Sequence, residues 1–351
     1  MIKVLIVDDS ALIRQILTTI FSADPGIEVV GAAPDPHVAR RMIKETDPDV
    51  ITLDIEMPKM DGISFLEKIM KLRPMPVVMI SSLTQEGADA TIRALELGAV
   101  DVVGKPAMDV QAALKDAHSD IIAKVKAAAR AKVRPLTDRP ASSAARTAKI
   151  GYSSTEWIIA IGASTGGVTA LRDVLSDFPA DCPATLVTQH MPAQFTATFA
   201  PRLNSFSKAL VSEARHGERV LPGHIYIAPG DRHLRLGRSG ANYICCLDDS
   251  PPVSGHRPSV DVLFSSVAEV AGNRGVGAIL TGMGRDGADG LLEMRGAGAR
   301  TLGQDEASSV VYGMPKAAQE IGAVEFQLPL PDISSAILRS CGESKVRAVR
   351  V

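Results

Sequence analysis

Residues 1–10 read MIKVLIVDDS, in which an apolar run, Ile2–Val7, ends directly at two aspartates, Asp8 and Asp9. A short continuous apolar run is typical of a strand buried on both faces, as in a parallel sheet covered by helices. One lysine and a short apolar stretch that stops at two acidic residues make a poor signal peptide. These residues therefore predict the first strand of a parallel α/β domain, with two carboxylates at its carboxyl end.

The alternation of apolar runs and amphipathic helical segments continues to about residue 130. The later apolar runs are Ile27–Ala32, Val50–Leu53, Val77–Ile80 and Val100–Val103. Repeated βα units of this kind predict a doubly wound, flavodoxin-like domain over residues 1–130.

Polar residues that can carry chemistry follow the predicted strands. Asp8 and Asp9 follow the first, Asp54 the third, Ser81 the fourth and Lys105 the fifth. A lone aspartate of this kind is more often a helix cap, but the carboxyl ends of parallel strands meet at one edge. Clustered carboxylates repel unless a cation binds, and Mg²⁺ prefers such oxygen ligands. With a hydroxyl and an ammonium beside it, Asp54 is expected to form an aspartyl phosphate.

Four segments carry a resemblance to the receiver domain of two-component response regulators: VDDS (7–10), LDIEMPKMDG (53–62), ISS (80–82) and GKP (104–106). The resemblance implies that a histidine kinase phosphorylates Asp54. It also implies that Asp9, Asp54 and the backbone carbonyl of Glu56 bind Mg²⁺ with Asp8 in support.

The same resemblance implies that Ser81 and Lys105 respond to the phosphoryl group. Many receivers carry an aromatic residue three positions before the lysine, whereas this chain has Val102. The route from the phosphoryl group to the output face is therefore left open by the sequence.

Residues 131–154 interrupt the pattern after a predicted helix, Val110–Ala129. They are rich in Ala, Ser, Arg and Thr and lack a sustained apolar period, which predicts a linker. A second alternating region begins at Trp157 and predicts another doubly wound, mainly parallel, Rossmann-like domain over residues 155–345. Short strands joined by Gly and Asp turns within Ile225–Leu247 predict an antiparallel edge.

The segment Gly162–Gly167, GASTGG, lies between a predicted strand and a predicted helix. This context suits a nucleophile elbow around Ser164, but it equally suits a phosphate or dinucleotide loop. His190 and Asp286 favour catalysis, because each also follows an apolar run and should reach the same edge of the sheet. The glycines of 282–284 suit a backbone that approaches an oxyanion.

Four other histidines compete with His190 as the base: His216, His224, His233 and His256. The first is expected to be solvated and the next two to be structural. His256 lies in a loop before a helix and could line the pocket.

Several segments after residue 155 resemble the catalytic domain of the CheB family of chemotaxis protein-glutamate methylesterases: IGASTGG, TQHMP, IAPGD, RPSVDVLF, LTGMGRDG and YGMPKAA. The resemblance implies that Ser164 is the nucleophile, His190 the base and Asp286 the third member of a triad. Thr165 adjoins the nucleophile, and the Met283 N–H is the oxyanion candidate. The implied reactions are hydrolysis of glutamate γ-methyl esters on methyl-accepting chemotaxis receptors, which releases methanol, and deamidation of receptor glutamines.

Composition restricts the partners. The formal net charge is −2 and no basic face or helix-turn-helix pattern is present, which argues against nucleic acid. No apolar run approaches the roughly 20 residues that span a bilayer. Four cysteines without CxxC spacing favour the cytoplasm. We expect a monomer that needs Mg²⁺ in the receiver and no cofactor for the esterase, gated by phosphorylation of Asp54. The rival hypothesis is a regulator whose second domain only binds a nucleotide or phosphate.

Overall fold

The computed structural model describes residues 1–57, 60–81, 85–105, 111–133, 135 and 157–342. The chain divides into two compact units, Met1–Pro140 and Ala141–Val351. The predicted linker lies almost entirely outside the described residues.

The first unit is a five-stranded parallel sheet with helices between its strands. Its strands are β1 (Ile2–Val7), β2 (Ile27–Ala33), β3 (Val50–Asp54), β4 (Val77–Ser81) and β5 (Asp101–Gly104). Its helices are α1 (Ala11–Ser22), α2 (Pro36–Thr46), α3 (Gly62–Leu72), α4 (Gln85–Leu97) and α5 (Gln111–Ala128). The strand order is β2-β1-β3-β4-β5, and all the pairs are parallel.

The local sequence explains these elements. Every residue of β3 and β4 is buried, as expected for strands covered on both faces. Ser10, Asp35 and Asp61 cap α1, α2 and α3 by accepting hydrogen bonds from backbone N–H groups of the first turn. The strand order reverses between β1 and β3, so the crevice at their carboxyl ends is the expected ligand site of this sheet.

The second unit contains a seven-stranded sheet and a separate two-stranded one. Its strands are β6 (Ile158–Ala163), β7 (Ala184–Gln189), β8 (Leu210–Glu213), β9 (His224–Ile227), β10 (His233–Ser239), β11 (Asn242–Asp248), β12 (Gly275–Ile279), β13 (Arg300–Gln304) and β14 (Phe326–Leu328). Its helices are α6 (Gly167–Ser176), α7 (Ala193–Asn204), α8 (Val260–Ala271), α9 (Ala288–Gly296), α10 (Met314–Glu320) and α11 (Leu330–Ser340), with a 3₁₀ turn at Gly272–Arg274.

The large sheet has the order β14-β13-β12-β6-β7-β9-β8, and all its pairs are parallel. The chain enters at the central strand β6, builds one half of the sheet and then crosses to β12. The carboxyl ends of β6 and β12 therefore form the crevice at which a doubly wound sheet binds its ligand.

The predicted fold class, two doubly wound and mainly parallel α/β domains, is confirmed, with one difference in detail. The antiparallel strands β10 and β11 form their own sheet instead of an edge of the main one. β9, which the sequence grouped with them, is inserted in parallel between β7 and β8. The apolar residues Ile225–Ile227 explain this position, because all three are buried. None of the described helices combines the length and the apolar character needed to cross a membrane.

Candidate active site

Ser164 lies in a tight turn between β6 and α6. Gly166 has φ +78°, and a Cβ added at Gly167 would lie 2.0 Å from Oε1 of Gln189. The turn is held by hydrogen bonds from the Ser164 N–H to Thr281 O (3.0 Å) and from the Gly167 N–H to Ser164 O (2.7 Å). Ser164 is half-buried. The sequence GASTGG thus forms a strand–turn–helix that presents a serine at the sheet edge.

Thr165, the residue after this serine, is buried. Its carbonyl accepts a hydrogen bond from the Thr281 hydroxyl at 2.9 Å. Thr281 therefore contacts the backbone of both residues and connects the turn after β6 to the chain that leaves β12.

His190 follows β7, the neighbour of β6, and Asp286 follows β12 on the other side of β6. The Nε2 of His190 lies 2.7 Å from Oδ2 of Asp286. The Nδ1 of His190 is buried and has no hydrogen-bond partner among the residues that the structure describes. In the neutral form of His190, the ring proton is on Nε2, where the Asp286 carboxylate accepts it, and the lone pair is on Nδ1.

The amino terminus of α8 holds the Asp286 carboxylate. Oδ1 accepts hydrogen bonds from Ser259 Oγ (2.7 Å) and Asp261 N (3.2 Å), and Oδ2 accepts one from Val260 N (2.7 Å). Burial alone would raise the pKa of Asp286, but the hydrogen bonds and charge of His190, together with Ser259 and Val260, hold it below its usual range. The helix dipole acts in the same direction. Asp286 is therefore ionised and fixed in orientation.

A second carboxyl group lies beside Asp286. Asp261 accepts hydrogen bonds from Gly290 N (2.8 Å) and Ser254 Oγ (3.4 Å). Burial and the charge of Asp286 raise the pKa of Asp261, although the Gly290 N–H opposes this. The negative charge at the start of α8 is therefore favoured on Asp286.

The backbone of residues 282–284 packs against the serine turn. The Gly282 N–H donates to Val311 O, and Gly282 O accepts from the N–H groups of Gly313 and Met314 at 3.0 and 2.9 Å. A Cβ added at Gly282 would lie 2.9 Å from Cβ of Ser164. Within the described part of the chain the next N–H, that of Met283, makes no hydrogen bond and is available to donate.

The other candidate histidines lie in different settings. His233 is buried, accepts from Ser259 N through Nδ1 (3.1 Å) and donates from Nε2 to Pro251 O (3.2 Å). His224 contacts Pro222 O, and the exposed His216 accepts from Leu247 N. His256 stacks directly on His190.

Sequence reasoning assigned no role to Gln189 or Ser259. Nε2 of Gln189 donates to the carbonyls of Ser164 (3.0 Å) and His190 (3.1 Å), so one amide connects the two strand ends. Their motifs, TQHMP and RPSVDVLF, were the only signals available for these residues.

The acidic crevice of the first unit contains Asp8, Asp9 and Asp54. One ligand oxygen from each lies within 4.8 Å of the others. Oδ2 of Asp8 is buried and has no hydrogen-bond partner among the described residues, and the Lys105 ammonium lies 3.9 Å from it. Burial, followed by repulsion from Asp54, raises the pKa of Asp8 to about 6. Such hard, mutually repelling oxygens fit a divalent cation such as Mg²⁺.

Asp54 is fully buried and also contacts Lys105 and Glu56. The Lys105 ammonium donates to Oδ2 at 2.9 Å, and the Glu56 N–H donates to Oδ1 at 3.3 Å. Burial raises the pKa of Asp54, and the Lys105 hydrogen bond offsets only part of that rise.

Ser81, at the end of β4, is buried and accepts a 3.0 Å hydrogen bond from the hydroxyl of Thr91 in α4. Val102 is buried on β5. The sequence offered no signal for Thr91, which places a polar contact between α4 and the end of β4.

A doubly wound unit with a receiver-type acidic crevice, and a second doubly wound unit with Ser, His and Asp at neighbouring strand ends, are the features of a receiver-linked esterase. The family model described as "CheB methylesterase" matches residues 159–337, and "Response regulator receiver domain" matches residues 4–118. The chain belongs to the CheB methylesterase family, and the family prediction is confirmed.

Two relatives are both named "Protein-glutamate methylesterase/protein-glutamine glutaminase". The one from Methylobacillus flagellatus is 56% identical over 355 residues, covering 100% of this chain and 99% of its own. The one from Bordetella pertussis is 57% identical, covering 97% and 98%. The crystal structure of the Thermotoga maritima CheB methylesterase catalytic domain is 37% identical with a TM-score of 0.51, covering 53% of this chain and 98% of that one.

Proposed function

We propose that this chain is a protein-glutamate methylesterase and protein-glutamine glutaminase whose second unit acts through a Ser164, His190, Asp286 triad. The observation that carries the proposal is the 2.7 Å contact between His190 Nε2 and Asp286 Oδ2. It leaves Nδ1 buried and, among the described residues, without a hydrogen-bond partner. His190 lies at a strand end that the Gln189 amide connects to Ser164. A binding loop alone would not require this arrangement.

In the first step His190 Nδ1 accepts the Ser164 hydroxyl proton while Oγ attacks the γ-carbonyl carbon of the substrate. His190 keeps its Nε2 proton, and Asp286 accepts the hydrogen bond from Nε2–H and stabilises the imidazolium. The Met283 N–H donates to the oxygen that becomes negative in the tetrahedral intermediate. Asp286 can stabilise the imidazolium because hydrogen bonds from the start of α8 hold its negative charge in place.

The intermediate collapses when His190 returns the proton to the leaving group. The leaving group is methanol from a methyl ester, or ammonia from a glutamine. The same acyl-enzyme forms on Ser164 in both reactions. His190 then takes a proton from water as the water oxygen attacks the acyl carbon. The bond from that carbon to Ser164 Oγ breaks, His190 returns the proton to Oγ, and the glutamate carboxylate is released. One site can therefore perform both reactions.

The first unit controls this activity through phosphorylation of Asp54 by a chemotaxis histidine kinase. Asp9, Asp54 and the Glu56 carbonyl would hold Mg²⁺, with Asp8 in support. The metal, when bound, supplies positive charge that neutralises the phosphoryl oxygens. Of the chain's own groups, Asp54 supplies the attacking oxygen.

Ser81 and Lys105 would bind the phosphoryl oxygens, since Lys105 already contacts the acceptor carboxylate. We assign residues 1–130 to the receiver, 131–154 to the linker and 155–345 to the esterase, acting on methyl-accepting chemotaxis receptors. All four cysteines are free and three are buried, which suits the reducing cytoplasm.

The test is methanol release from a methylated chemoreceptor fragment, with and without Mg²⁺ and a small-molecule phosphodonor. Ser164→Ala should abolish release, and Asp54→Asn should retain basal release but lose the increase with phosphodonor. Ser176→Ala, at the end of α6, is the matched control and should behave as the unaltered chain. Absence of release under every condition would refute the assigned substrate.

A further inference from the structure

The imidazole of His256 lies against the flat face of His190. The two ring centroids are 3.8 Å apart and the ring planes differ by 14°. We infer that His256 is a positioning residue, which holds the His190 ring in the plane in which Nε2 contacts Asp286 and Nδ1 is the proposed acceptor of the Ser164 proton. This inference rests on the proposed role of His190 as the base.

The backbone around His256 is built as a defined turn. Val253 and His256 exchange two backbone hydrogen bonds of 3.0 and 2.9 Å. Ser254 and Gly255 between them have φ of +53° and +81°, as expected for a type I′ turn. His256 therefore leaves the turn in a fixed direction.

Charged contacts hold the chain immediately after His256. The Arg257 guanidinium donates to Asp231 Oδ1 from Nη2 (2.7 Å) and Nε (3.1 Å), and to Asp249 O from Nη1 (3.1 Å). Two positions further on, Ser259 begins the helix that binds Asp286. One continuous segment thus supplies both the ring on the face of the base and the hydrogen bonds to its carboxylate partner.

His190 needs such support because rotation about its χ2 meets only a broad energy minimum. The hydrogen bond to Asp286 fixes one corner of the ring, and the ring can still rotate about that contact. A second flat ring at 3.8 Å prevents this rotation, because a tilted His190 would collide with it. Catalytic groups must be held to within about 10–20° of the productive geometry.

Two substitutions in the full-length chain separate a flat ring from simple space-filling. His256→Phe keeps a flat ring on His190, and His256→Leu keeps apolar volume without one. His224, whose ring stacks at 6.0 Å and 15° on Tyr226 away from the triad, gives the matched control His224→Leu. Measurements are kcat and KM for methanol release, and the rate at which a fluorophosphonate probe labels Ser164.

We expect His256→Leu to lower kcat and the labelling rate about 10- to 30-fold and to change KM by less than about twofold. The expected loss in kcat is smaller than the roughly 10²-fold loss typical of a 1 Å misplacement. His256→Phe should restore both to within about threefold of the unaltered chain, and His224→Leu should change neither. Fluorescence of Trp157, the only tryptophan, reports that each variant's second unit is folded.

Equal losses in folded His256→Phe and His256→Leu chains would overturn the inference, as would unchanged rates in His256→Leu. If labelling follows the expected order but no variant releases methanol, the positioning role stands and the proposed substrate is wrong.

Discussion

Replacing Ser259 with Ala removes one hydrogen bond from the buried carboxylate of Asp286. The Ser259 hydroxyl lies 2.7 Å from Oδ1 and is fully buried. Without it, Oδ1 keeps only the Asp261 N–H, at 3.2 Å. Ser259 also caps α8 by accepting from Val262 N, over a longer 3.4 Å.

The expected loss follows from these two contacts. A hydrogen bond to a charged group contributes about 1.5–3 kcal/mol to the free energy of unfolding. The long cap contact belongs at the low end of the ~0.5–2 kcal/mol range for such residues. We therefore expect Ser259→Ala to lower the free energy of unfolding by about 2–3 kcal/mol at pH 7. If about 1.4 kcal/mol of this stabilisation is also lost in the transition state of the labelling reaction, labelling of Ser164 slows about tenfold.

The loss should depend on pH. Because the folded pKa of Asp286 lies below the value of an unfolded aspartate, about 3.9, its contribution to stability is complete above that value. The contribution disappears as pH falls through the folded pKa. The stability difference between Ser259→Ala and the unaltered chain should therefore be full at pH 7 and shrink below about pH 4.

The assay is urea unfolding followed by fluorescence of Trp157, which reports the second unit. Ser266→Ala is the matched control, since Ser266 is a buried serine of the same helix whose hydrogen bonds within the described residues go to the backbone of Leu236 and Leu263. Its loss of about 1 kcal/mol should not vary with pH, and labelling should be unchanged. A pH-independent loss in Ser259→Ala, with unchanged labelling, would refute the reasoning.

Three further predictions concern other contacts. Gly167→Ala should destabilise the second unit by about 1–3 kcal/mol in urea unfolding and slow labelling, because its Cβ would collide with Gln189. Lys105→Met should destabilise the first unit by about 3 kcal/mol, measured by circular dichroism, because the buried carboxylate of Asp54 loses its cation. Thr91→Val should change the rate of phosphorylation by a small phosphodonor by less than about threefold. It should reduce the increase in methanol release that the phosphodonor causes, because Ser81 loses its contact to α4. An unchanged increase would exclude Thr91 from the route between the phosphoryl group and the esterase.

The sequence by itself predicted both folds and the strand ends that carry the candidate residues. Apolar runs of strand length reveal buried parallel strands, and the carboxyl ends of such strands meet at one edge. For this reason the sequence alone could group Ser164, His190 and Asp286, although they are widely separated in the chain. Their catalytic roles stay predictions.

Only the tertiary structure placed the groups that surround these residues. The contact of α8 with Asp286, the amide of Gln189 between two strand ends, and the ring of His256 on His190 join segments far apart in the chain. The same holds for the parallel insertion of β9. Strand periodicity determines which edge a residue reaches. The direction of each helix start, turn and side chain toward that edge depends on packing between distant segments, which no local pattern encodes.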